Sequence, residues 1–227
     1  MRNLLLLVSC LFLATYGFAQ ESETRSVGKF SGVKVMEGID VRLIKGEKES
    51  VRVEVDGLPL NSIITEVSGS YLEIHRSSNS SRYRGSAKVY VTYVKVENLS
   101  ASSAGAIYSE NTITADNMDI SASSAGSIEI TIEARNADVS ASSAGEVELQ
   151  GKADRINFSA KSAGQIDAYD LSARRVNADA SSAGSIKLAV EDDLVAHASS
   201  GGSIRYHGNP TKSNTNSSSG GSVKKSN

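Results

Sequence analysis

The sequence predicts an all-β protein, a parallel β-helix or β-solenoid with coils of about 20 residues and Gly-centred corners, preceded by an irregular β-rich N-terminal part. Three observations carry this prediction. A short phrase, Ser-Ser-Ala-Gly followed by a variable residue and then Ile or Val, returns in variations around Gly105, Gly126, Gly145, Gly164, Gly184, Gly202 and Gly221, at spacings of 21, 19, 19, 20, 18 and 19 residues. Apolar and polar residues alternate on both sides of each glycine. Aromatic content is only 5%, with no Trp, which suits a thin, stacked core better than a broad one.

The alternation is read from columns through the glycines. Two residues after them stand Ile107, Ile128, Val147, Ile166, Ile186, Ile204 and Val223, and the next position holds Tyr108, Glu129, Glu148, Asp167, Lys187, Arg205 and Lys224. Six residues before the glycines stand Leu99, Ile120, Val139, Phe158, Ala178, Ala196 and Thr215, and four before stands Ala in six copies, Ala101 to Ala198, then Ser217. Period-2 patterning on either side of a glycine reads as strand, tight turn, strand. A looser turn elsewhere in the coil is expected to absorb the variation in spacing. Neither strand buries its apolar face alone, so the coils must stack, about 4.8 Å apart. The glycine is expected to supply a positive φ at the corner.

Residues 1–19 read as a signal peptide, with Arg2, an apolar stretch from Leu4 to Ala14, and Gly17-Phe18-Ala19 before the cleavage point. That stretch is too short for a stable membrane span, and no later segment approaches one, so no integral membrane segment is expected in the mature chain. The only cysteine, Cys10, lies inside this leader, where it superficially resembles a lipoprotein box. Residues 20–96 are strand-rich but out of phase with the repeat, and are expected to form irregular coils that blunt the N-terminal edge of the solenoid. Ser77 to Gly85 reads as a polar loop. Residues 97–207 are the repeat solenoid. Residues 208–227 keep Gly221 and Val223 in register but replace the apolar columns with Ser213, Thr215 and Ser217, as a polar capping coil or tail would.

The segments Phe30-Ser31-Gly32-Val33-Lys34-Val35, Gly38-Ile39-Asp40-Val41, Val51-Arg52-Val53-Glu54-Val55 and Val89-Tyr90-Val91-Thr92-Tyr93 have a distinctive order. They lead through Val96-Glu97-Asn98-Leu99-Ser100-Ala101 into the glycine repeats, and Gly208-Asn209-Pro210 precedes the last one. In this the chain resembles the head GIN domain family of proposed autotransporter adhesins. The resemblance implies an exported β-helical protein of Gram-negative bacteria, in the periplasm, at the outer-membrane surface or outside the cell. The family brings no established catalytic residues.

Read from the residues, the chain offers no catalytic, cofactor-binding or metal site. Seven equivalent serine corners argue against one activated nucleophile, and no Gly-x-Ser-x-Gly elbow occurs. Glu129, Glu148 and Asp167 share one outward column, so neighbours should lie roughly 5 Å apart. Such a ladder invites three readings: a solvated face, a calcium site, or the centre of a pectin-lyase-like polysaccharide-degrading enzyme. His75, His197 and His207 lack metal-ligand spacing, although His197 and His207 flank the Gly202 corner and are candidates to approach each other. A formal net charge of -2 gives no case for nucleic acid. Sugar binding is not signalled, with only Tyr108, Tyr169 and Tyr206 spread along the repeats. The expected function is an adhesin-like, non-enzymatic β-solenoid presenting polar ladders to a surface glycan or protein. The alternatives are a periplasmic or envelope structural module that binds protein, and the enzyme just named. Oligomeric state stays open, and no coiled-coil heptads are present.

Overall fold

The structure is a computed structural model that describes residues 21–79 and 84–226. The signal-peptide reading, Cys10 and part of the Ser77–Gly85 loop lie outside these residues. The described chain is a β-solenoid of stacked parallel coils, as its periodicity requires. Its one helical segment among the described residues is a 3-10 turn, Leu60–Ser62.

Seven strands precede the repeats: β1 (Glu21–Arg25), β2 (Gly32–Val35), β3 (Asp40–Lys45), β4 (Ser50–Asp56), β5 (Ile63–Ser68), β6 (Tyr71–Arg76) and β7 (Ser86–Tyr93). The repeats supply β8 (Asn98–Ala101), β9 (Ala106–Ser109), β10 (Ile113–Ser123), β11 (Ser127–Ser142), β12 (Glu146–Lys161) and β13 (Gln165–Ala180). They continue with β14 (Ser185–Ala189), β15 (Asp193–Ala198), β16 (Ser203–His207), β17 (Lys212–Ser217) and β18 (Ser222–Lys225).

Each coil has a sharp corner and a rounded one. The sharp corner is a turn in which the glycine N–H donates to the carbonyl three residues earlier, as from Gly145 to Ser142 at 2.8 Å. Its two central residues carry the positive φ: Ser143 at 50° and Ala144 at 58°, with matching values at the other Ser-Ala corners. That pattern is a type I′ turn. The expectation that the glycine supplies the positive φ is therefore corrected. Glycine is required for space instead, because a Cβ on Gly145 would lie 2.4 Å from the Ala122 carbonyl oxygen of the preceding coil. Adjacent corners are laddered, the Ala144 N–H donating to the Ser162 carbonyl at 3.2 Å.

Gly201, in a Ser-Ser-Gly-Gly copy, shows the other case. Its φ is 76°, and a Cβ there would meet nothing closer than 4.0 Å. Ala183 already occupies the equivalent place at 61°. Gly201→Ala should therefore change stability by less than about 1 kcal/mol, measured by urea unfolding.

The length variation is absorbed in two ways. Two of the three 19-residue coils run as single 16-residue strands, β11 and β12, through the rounded corner, whereas the one after Gly202 breaks there after β16. The coil between Gly164 and Gly184 carries its extra residue as a bulge within the strand, where the register shifts between Glu148 and Gln150 against β13. In the coils of 21 and 18 residues the strand breaks at the rounded corner, after β9 and after β14.

The N-terminal strands depart from the expectation of an out-of-phase region. β2 and β3 form a coil in register with the repeats: Val33 stands beside Leu99, Val35 beside Ala101 and Val41 beside Ile107. On their other side β2 pairs with β6 and β3 with β7, all parallel. The order along the axis is thus β6–β7, then β2–β3, then β8–β9, which is not chain order. Glu37 and Gly38, at φ 64° and 66°, reproduce the corner, and Ile39 stands where glycine stands elsewhere. On that side β6 runs on to Arg76, whose N–H donates to the Glu37 carboxylate, and the Ser77 N–H donates to the Ser62 carbonyl at 2.8 Å. β4 and β5 pair antiparallel with β7 and β6, and β1 pairs antiparallel with β4. At the far end β17 and β18 stack parallel on β15 and β16.

The core is one continuous column of small and medium side chains between two sheet faces. Ile107, Ile128, Val147, Ile166, Ile186 and Ile204 line one wall, and Leu99, Ile120, Val139, Phe158, Ala178 and Ala196 the other, all buried. The polar residues between them are thrown outward in equally regular rows.

Candidate functional site

The most organised outward row belongs to the face made by β3, β7, β9 and the strands that follow each sharp corner. Strand registers place Glu129 beside Glu148, Glu148 beside Asp167, Asp167 beside Lys187, Lys187 beside Arg205, and Arg205 beside Lys224. The expected acidic ladder and its basic continuation are therefore one physical row. At the other end Tyr108 stands beside Glu129, and Arg42 lies between Tyr108 and Tyr90. Arg52 of β4 adjoins Tyr90.

This N-terminal end of the row is not legible from sequence spacing, because its members come from four strands that are not consecutive coils. Arg42 lies 4.2 Å from the Tyr108 ring centroid, and Arg52 lies 4.1 Å from that of Tyr90. These are cation–π contacts. Both guanidinium charges are also answered by carboxylates, Arg42 by Glu110 at 3.5 Å and Arg52 by Glu54. Farther along, the Lys187 ammonium donates to Asp167 at 2.8 Å, and this hydrogen bond and charge hold the Lys187 pKa above its ordinary value.

The three side chains of the acidic ladder do not converge into a ligand set. Among the described residues, no group of three or more His, Cys, Asp or Glu is placed to hold a metal ion. Asp167 is already engaged by Lys187, and Glu129 and Glu148 are exposed on an open face. Nor are the two C-terminal histidines brought together. His197 lies on β15, on the opposite face, between Asp179 and Asn216. His207 packs edge-on against Tyr169, ring centroids 5.0 Å apart, where the β13 bulge pushes that tyrosine out. The Tyr169 hydroxyl also lies 2.9 Å from the Ser226 hydroxyl.

The opposite face carries Ser, Asn and Asp rows. Asn157 donates to Asp138 at 2.7 Å, and Ser121 to Ser100 at 3.1 Å. Asp119 stands beside Asp138. Partial desolvation, and secondarily the Asp138 charge, hold its carboxyl above the ordinary value of 3.8. A raised carboxyl pKa gives a contribution to stability that is whole below the unfolded value and is lost as pH rises through the folded one. Asp119→Asn should therefore raise the melting temperature slightly near pH 7 and leave it unchanged near pH 3, as read by calorimetry at both values.

At the rounded corner an open groove of 410 Å3 runs along the axis over Ala115, Ala134 and Ala153. Its rims alternate in charge and are paired: Glu133 with Lys152 at 2.9 Å, Arg135 with Asp116 at 3.6 Å, Arg174 with Asp192 at 3.0 Å. These surfaces offer rows of polar contacts at the coil spacing.

Fold and surface together define a β-solenoid that displays repeating polar ladders on open faces. Residues 29–210 match the family described as putative auto-transporter adhesin, head GIN domain, and the chain belongs to that family. Its fold is similar to that of a putative adhesin from Bacteroides fragilis, with a TM-score of 0.82 and 21% identity, covering 92% of this chain and 98% of that one. A putative adhesin from Parabacteroides distasonis matches at a TM-score of 0.69 and 17% identity, over 92% and 97% of the two chains. A putative lipid binding protein from the same species matches at 0.65 and 19%, with the same coverage. At these identities the likeness is one of fold. No curated protein matches the sequence. No helix among the described residues is long and apolar enough to cross a membrane.

Proposed function

We propose that the protein is an exported, non-enzymatic adhesin-like module that binds a glycan or protein at the bacterial surface through its polar ladders. The supporting observation is the repetition itself. Outward polar or charged side chains recur from coil to coil, as Ser, Asn and Asp rows on one face and as a row passing from acidic to basic on the other, so contact energy is spread along the axis. Membership of an adhesin-like family and the leader-like residues 1–19 support the same reading. Binding of this kind gains from many weak contacts and tolerates the loss of any one of them.

The test is protease shaving of intact cells followed by detection of this chain. Loss of the protein without lysis, together with weaker attachment of a deletion strain to glycan or matrix-protein surfaces, is the expected result. Protection until the outer membrane is broken would replace this reading with that of an envelope structural module.

A further inference from the structure

We infer that the Glu129–Lys224 row is a self-complementary docking strip, through which two copies of this chain pair face to face with their axes antiparallel. Along six consecutive coils the row reads Glu129, Glu148, Asp167, Lys187, Arg205, Lys224: three acids, then three bases. A two-fold axis parallel to the strands, passing between the Asp167 and Lys187 coils, reverses the order of coils and keeps each position along the strand. It sets Glu129 against Lys224 of the second copy, Glu148 against Arg205, and Asp167 against Lys187. Symmetry repeats each pair, which makes six.

The register is selective. Sliding by one coil brings Asp167 against its own copy, or Lys187 against its own, and like charges opposed in this way repel. The neighbouring outward row is compatible. It runs Ser127, Glu146, Gln165, Ser185, Ser203, Ser222 and holds a single charge, which the same axis places against Ser203 of the second copy.

Four of the six charges are also left over, while Asp167 and Lys187 at the centre pair within the chain at 2.8 Å and would share that pair with the second copy. Among the described residues, no ion pair forms at Glu129, Glu148, Arg205 or Lys224, whereas Arg42 and Arg52 at the other end of the row are answered by Glu110 and Glu54. The Arg–Tyr end would overhang the pairing. Six coils at about 4.8 Å and five residues at about 3.3 Å give a strip of roughly 480 Å2. A standard complex buries about 800 Å2 per partner, so the pairing is weak, concentration-dependent and sensitive to salt.

Sedimentation equilibrium on the purified chain tests this. The expected result is a monomer–dimer equilibrium at low ionic strength that weakens about tenfold or more in 0.5 M salt, where the screening length falls well below 10 Å. Glu148→Arg and Arg205→Glu should each weaken it about tenfold or more, because each turns two attractions into repulsions. Glu148→Arg combined with Arg205→Glu should restore it to within about threefold of the parent. These two residues sit three coils apart in one molecule, so the rescue has no intramolecular explanation. Circular dichroism melting checks that every variant is folded. A chain that stays monomeric at low salt and high concentration overturns the inference, and so does a dimer indifferent to the single changes or not rescued by the double one.

Discussion

Gly145→Val is expected to cost about 3 kcal/mol or more, against less than about 0.5 kcal/mol for Ser142→Ala at the same corner. The difference does not come from backbone freedom, since Gly145 is not among the residues at positive φ. It comes from close approach. A Cβ would lie 2.4 Å from the Ala122 oxygen, 2.5 Å from the Ala122 carbon and 2.7 Å from the Ser123 nitrogen, all of them backbone. No side-chain rotation relieves such a clash, so the coil must move away from its neighbour and loosen the ladder on which both depend. In a stack held by nearest-neighbour contacts this divides the solenoid at one interface. Urea unfolding should show a lower midpoint, and hydrogen exchange should show lost protection concentrated in β10 and β11. Equal losses for the two substitutions would refute the close-approach account.

Phe158→Ala is expected to cost about 3–5 kcal/mol. Phe158 is 3% exposed and is flanked in adjacent coils by Val139 and Ala178. In the next coil the small Ala178 side chain offers little to fill the space that the ring would vacate. The vacated space is bounded by backbone ladders on both sides, so the walls cannot collapse far into it. Urea or thermal unfolding would register the loss. A cost below about 1 kcal/mol would mean that the coils close around the gap, and that the core is more compliant than its ladders suggest.

Much of this fold is legible in the chain because a solenoid is nearly one-dimensional. Each column of like residues, such as Ile107 to Ile204, is a physical column, and a glycine period near 20 residues is a coil length. The row from Tyr108 to Lys224 follows from the same logic, and the structure places it as the columns require. The Arg42–Tyr108 and Arg52–Tyr90 stacks have no such signature. The first arises because β3 is inserted between β7 and β9, the second because β4 pairs antiparallel with β7, and both depend on pairing between segments tens of residues apart.

The repeat therefore determined the coil, its alternating faces and its alanine-lined corner, since those are set by neighbours within one period. Three features were decided by packing between coils. The corner glycine is there for clearance from a carbonyl in another coil, which no local φ preference reveals. β2 and β3 belong to the stack despite lacking the Ser-Ala-Gly phrase, because Glu37 and Gly38 supply the same two positive φ values at that corner. The extra residue near Tyr169 became a bulge and not a longer turn, and that turned the ring toward His207. For the glycine the deciding partner is a backbone one coil away along the axis, and for Tyr169 it is a ring two coils away, distances that sequence spacing measures only while chain order and stacking order coincide.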